Sequence, residues 1–115
     1  DPVYGTMTQE IFGAKWQDDV VALACENADL DVAASGTDTL IVRAVFGGAI
    51  ASQRKDNSNF TFAVVDAPAS TATGTTVGAN TGIVTAGTQT GTAVISITLT
   101  NYPNVPPAYA TVTVG

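Results

Sequence analysis

The chain has 115 residues, of which 45% are hydrophobic and only 12% charged, with a formal net charge of −6. That length supports one domain around one core, and the charged share is about half the usual ~25%. Four Lys and Arg in total are too few for the clustered positive charge that binds phosphate backbones, so nucleic acid is excluded as a partner. The longest apolar run, Val20 to Cys25, is too short for a membrane-spanning helix, so no membrane insertion is expected.

The charge is unevenly placed. Asp1, Glu10, Asp18, Asp19, Glu26, Asp29 and Asp31 face a single base, Lys15, within residues 1–31, while Asp38, Asp56 and Asp66 balance Arg43, Arg54 and Lys55 in the rest. Cys25 is alone, which rules out an intrachain disulfide and fits a small buried hydrophobe or an intermolecular bridge. The sequence begins at Asp1 without Met or signal peptide, as a cleaved exported chain would, and as an arbitrary boundary would.

Residues 2–12 alternate, with Val3, Met7 and Ile11 on one face and Gly5 and Gln9 between them; Tyr4, Thr6, Thr8 and Glu10 take the other face. This predicts a strand with one apolar face, ended by Gly13. Trp16 to Cys25 reads equally as a helical turn or a strand. Leu30 to Ala33 predicts a short strand closed by the turn Ala34-Ser35-Gly36. Thr39 to Phe46 is apolar on nearly both faces and predicts a central, buried strand ended by Gly47-Gly48. Gln53 to Asn59 is a polar loop, and Phe60 to Asp66 a strand with Phe60, Phe62 and Val64 on one face.

From Ala67 to Gly115 the chain carries no charged residue and thirteen threonines. Threonine suits a pleated, half-exposed surface, so this tract predicts sheet. Ser70 to Val77 reads as an edge-like strand, Ile83 to Ala86 as another, with turns at 78–82 and 87–91. Ala93 to Thr100 places Ala93, Ile95, Ile97 and Leu99 inward. After the Pro-rich loop Asn101–Pro107, the last strand has Ala108, Ala110, Val112 and Val114 on one face. Seven or so short strands with turns every 8–12 residues predict an all-β sandwich with less than about 10% helix. Soluble proteins guard exposed strand edges with Lys, Glu or Pro, so the missing charge implies edges covered by neighbouring subunits.

Several elements occur in an order that resembles the bacterial Ig-like domain, group 2, found in intimin- and invasin-type adhesins, surface-layer proteins and phage virion proteins. They are Gly36-Thr37 before Leu40-Ile41-Val42, the strand Phe60 to Val65, and Thr81-Gly82-Ile83-Val84-Thr85-Ala86. Gly91-Thr92-Ala93-Val94-Ile95 and Ala110-Thr111-Val112-Thr113-Val114 follow. The family's central-strand Trp is replaced by Phe60 or Phe62. The resemblance implies an Ig-like Greek-key β-sandwich over residues 29–115, with residues 1–28 as an N-terminal extension serving as donor strand or assembly arm.

Candidate sites are sparse. The acids Asp18, Asp19, Glu26, Asp29 and Asp31 offer oxygen ligands of the kind Ca²⁺ takes, but their spacing matches no calcium loop and solvated surface charge explains them. Tyr4, Trp16, Tyr102 and Tyr109 form either an aromatic sugar platform or packing around the Pro-rich loop. Arg43, inside an apolar strand, faces solvent or pairs with an acid from residues 18–31 of this or another chain. Asn59-Phe60-Thr61 is a glycosylation sequon. There is no His, no nucleophile–base arrangement and no distinguished carboxylate pair, so no enzyme, cofactor or metal is expected.

The expected role is a structural subunit of an extracellular prokaryotic surface polymer, a pilus-like filament or a surface layer, with copies of itself as partners. Val3, Gly5, Met7, Ile11 and Phe12 form the expected assembly interface, adding as a strand to a neighbour's open edge. A phage virion protein bound to a capsid shell or tail is the alternative, and a glycan-binding adhesion module the third reading.

Overall fold

A computed structural model describes residues 10–11, 14–66 and 68–115, with side chains from residue 16 onward. In chain order the strands are β1 (Glu10–Ile11), β2 (Ala14–Lys15), β3 (Val20–Cys25), β4 (Asp29–Val32), β5 (Thr37–Thr39), β6 (Val42–Phe46), β7 (Gln53–Arg54), β8 (Phe60–Val64), β9 (Thr76–Val77), β10 (Ile83–Thr85), β11 (Gly91–Leu99) and β12 (Ala108–Val114). The only helical residues described are two 3₁₀ turns, Trp16–Asp19 and Asn57–Asn59. Strand takes 46% of the residues and helix 7%, an all-β balance.

One layer is the four-stranded sheet β4-β12-β11-β8, antiparallel except that β4 runs parallel to β12. The other layer consists of two ladders, β3-β6-β7 and β5-β10-β9. They join because β5 and β6 are two halves of one chain segment. At the junction the Leu40 N–H donates to Gly82 O at 3.0 Å and the Glu26 N–H donates to Ile41 O at 2.9 Å, so pairing passes from β10 on one side to β3 on the other. The expected strand Thr39–Phe46 is therefore split by a change of partner. Its alternation is one-sided: Leu40, Val42, Ala44 and Phe46 are buried and Ile41 is exposed. Together the two layers form a β-sandwich, with β3 and β4 carrying the chain from one layer to the other.

The core lies where the alternation puts it. Ala93, Ile95 and Ile97 on β11 and Val112 on β12 are fully buried, and Leu99, Ala110 and Val114 are nearly so. Phe60 and Phe62 project inward from β8 with ring centroids 6.4 Å apart, edge to face.

Two expectations are corrected. The sandwich does not begin at residue 29: β3 pairs with β6, and Trp16 and Val20 belong to the core at 3% and 7% exposure. Trp16 packs edge-on against Phe46 at 6.4 Å and carries the Lys55 ammonium 4.6 Å above its ring, a cation–π contact. The segment that reads as turn or strand is both, a 3₁₀ turn followed by β3.

Ser70 to Val77 is not a strand, apart from the two residues of β9. The segment instead straps the part of β11 that β8 does not reach, since β8 pairs only with Ile95 to Leu99. The Val65 N–H donates to Val94 O and the Thr71 N–H to Thr92 O. In return the Ser70 and Thr71 hydroxyl oxygens accept from the Val94 and Thr92 N–H groups at 2.9 and 3.1 Å. Side-chain oxygens stand in for a strand's carbonyls, the local competition that Ser and Thr bring to β-ladders.

Candidate functional site

The strongest polar constellation is built by the β3–β4 turn and the β6–β7 pair. Glu26 accepts from Arg43 Nη1 at 2.7 Å, from Arg54 Nε at 2.6 Å and from Arg54 Nη2 at 2.7 Å. Arg43 spends its other donors on Ser52, Nε to Oγ at 3.0 Å and Nη2 to the backbone O at 2.7 Å. The bonds from Arg54 and then Arg43 hold the Glu26 carboxyl down to about 2. Arg43 thus has an acid partner in its own chain. The geometry is that of a surface clamp, because both guanidinium groups converge on one carboxylate and Arg43 turns its other two bonded nitrogens to Ser52.

Glu26 titrates near 4.5 when unpaired, so its contribution is present above that value and lost as pH falls toward 2. We expect Glu26→Gln to lower the melting temperature at pH 7. The gap from wild type should shrink between pH 4.5 and 2, measured by calorimetry across that range. A gap that does not change with pH would show that the ion pairs contribute nothing.

The remaining expected groups do not converge. Asp18 accepts the Tyr102 hydroxyl at 3.0 Å, which raises the Tyr102 pKa and ties the Pro-rich loop to the first 3₁₀ turn. Asp29 and Asp31 point outward from β4. Among the described residues no three Asp, Glu, Cys or His side chains come together as metal ligands. Trp16 is buried, Tyr102 half-buried and Tyr109 56% exposed, so these three do not form a row, and Tyr4 lies outside the described residues. A groove of 460 Å³ runs beside Tyr102 between Val20-Val21 and Pro103 to Val105.

Cys25 is half-buried, its thiol pushed up by burial and directed at Asn27 Oδ1 at 3.4 Å. Asn59 of the sequon donates its amide to Asp56 O at 2.9 Å, and the neighbouring Phe60 is fully buried.

Of the expected assembly residues, Val3, Gly5, Met7 and Phe12 lie outside the described residues. The backbone of Ile11 pairs with Ala14 in the β1–β2 hairpin. The charge-free tract does not lie where the missing guards imply. Its long strands β11 and β12 and its short β10 are interior strands, each flanked on both sides within the chain. Their lack of charge follows from that position, and no neighbouring subunit is needed to explain it. Sequence reasoning missed the Lys55–Trp16 contact and Arg54 as the second clamp arm; no local pattern marks either, since both join residues far apart in the chain.

No protein-family model matches the chain, and no curated protein matches it.

Proposed function

We propose that the chain is a structural subunit of an extracellular assembly, a surface filament or surface layer, that joins its copies by strand addition. One observation carries the reading. Both layers of the sandwich and their shared core are traced by residues 16–115, and the strand-patterned segment 1–12 pairs, in its described part Glu10–Ile11, only with Ala14–Lys15 and in neither layer. Its alternating Val3, Met7 and Ile11 suit a half-buried strand, and an extended segment gains most by adding to an open sheet edge, where backbone hydrogen bonds supply affinity and alternate side chains fill pockets. A head-to-tail contact of that kind joins two different surfaces and propagates into a filament wherever its rotation does not close a ring. The ordered elements that resemble bacterial Ig-like modules, and the low-Lys, Thr-rich composition, fit the same setting outside the cell.

Deleting residues 1–12 should leave a folded sandwich with a cooperative melt that no longer assembles, read by electron microscopy and sedimentation beside the full chain. Filaments or sheets that persist after truncation contradict strand donation. Full-length protein that stays monomeric and decorates only phage shells, or only glycans, would move the chain to the virion or adhesion reading.

A further inference from the structure

The sheet edges are not equivalent. The outer edge of β4 carries the exposed acids Asp29 and Asp31, charges that discourage an incoming strand. The outer edge of β8 is occupied from the turn beyond β9: the Phe62 N–H donates to Ala79 O at 2.8 Å, and Phe60 O accepts from Asn80 Nδ2 at 2.9 Å. The free half of β11 is closed by the Ser70–Thr71 strap. β9 and β7 are two residues each, β5 is three and carries Asp38, and all are too short to template a strand. β3 differs from every one of them. It is six residues long, has no charged side chain, and among the described residues is hydrogen-bonded to a neighbouring strand, β6, on one side only.

The core is also incomplete at that edge. On β6 the inward residues Val42 and Ala44 are fully buried, whereas their β3 partners Cys25 and Leu23 face the same core but are only partly covered. Outward from β3 stand Ala24 and the bulged Val21, which is 53% exposed. An added strand with one apolar face would cover Leu23 and Cys25 and leave its polar face over the small Ala24.

Resting on the strand-addition reading, we propose that β3 is the acceptor edge and that its occupant is the N-terminal segment of a second copy. Nine residues precede β1, about 30 Å when extended, against about 20 Å for the six-residue edge, so the segment is long enough to cover it. Val3, Gly5 and Met7 would face the uncovered rim in a large-small-large order, with Tyr4, Thr6 and Thr8 outward. The absence of charge on both Val20–Cys25 and residues 2–9 means that neither partner strips a charge of water on pairing.

The test places guard charges on the edge without changing net charge: Val21→Lys with Ala24→Glu, both at exposed positions. The double variant should sediment as a monomer at concentrations where the wild type assembles, with a melting temperature within a few degrees of wild type. Assembly as in wild type, while the 1–12 deletion is monomeric, would overturn β3 as acceptor and leave strand donation standing. Assembly that survives the deletion overturns both. Should the double variant fail to fold, Thr6→Cys with Ala24→Cys, both on the outward face, in a Cys25→Ser background provides the second readout. A disulfide-linked ladder of oligomers is expected under mild oxidation, and a cross-link confined to single chains would show the segment covering its own edge and overturn the proposal.

Discussion

Ile97→Ala is expected to destabilise the domain by about 2–5 kcal/mol, the range for removing a large aliphatic side chain from a packed core. Ile97 is fully buried on β11, flanked by Phe62 on β8 and Ala108 on β12, in the interior of the four-stranded sheet. Neighbours on both sides are fixed by ladder hydrogen bonds, so the cavity has little room to collapse. For a domain of this size the melting temperature should fall by about 10 °C or more. A shift of only a degree or two would mean that this face of β11 is not core.

Gly82→Ala should cost about 2–4 kcal/mol, for two separable reasons. Gly82 has φ +68°, where a Cβ alone costs about 1–2 kcal/mol. The added Cβ would also stand 2.6 Å from Asn57 Nδ2 and 2.9 Å from Phe62 Cζ. Asn57 cannot yield freely, because that nitrogen donates to Leu40 O at 2.9 Å and Thr81 O at 2.8 Å and so stitches the second 3₁₀ turn to the β5–β6 junction and the 78–82 turn. Losing those bonds adds about 1 kcal/mol each. Gly48→Ala is the control: its φ is +70° but nothing lies within 4 Å of the new Cβ, so only the backbone cost applies. Equal losses at the two positions in denaturant titrations would show that the Asn57 stitch contributes no stability.

Where one face of a strand is buried along its whole length, the sequence and the structure agree residue by residue. Ala93, Ile95, Ile97 and Leu99 on β11, and Ala110, Val112 and Val114 on β12, are inward as the period of two requires, with Ala108 half-buried at the end of its strand. Agreement fails where partners, not side-chain pattern, decide the structure. Leu40-Ile41 continues an apolar run, yet it is the point at which one strand leaves β10 for β3, and no local signal marks a change of neighbour. Thr71, Thr73, Thr75 and Thr76 have strand-like propensity, but the Ser70 and Thr71 hydroxyls bond the β11 amides and hold the chain off a regular ladder. Trp16 looked detached from the sandwich because the family-like elements start near residue 29; burial against Phe46 and Lys55 places it in the core.

The charged sites divide in the same way. Arg43 inside an apolar strand signals a partner within reach, and the acids of residues 18–31 include it, but only the fold selects Glu26 and adds Arg54. The uncharged tract misled in a more instructive manner: absence of edge guards marks strands that have no free edge as readily as strands whose edges are shared. β11 and β12 are the first kind, and β3, outside that tract, has the features of the second.

Amide hydrogen exchange of the assembled full-length protein against the 1–12 deletion tests strand addition at β3 most directly. The alternate N–H groups of Val20–Cys25 that point away from β6 should exchange many-fold more slowly in the assembly than in the truncated monomer, while the interior strands β11 and β12 are equally protected in both. Equal exchange at β3 in the two samples, with new protection appearing along β4 or β8 instead, would contradict it.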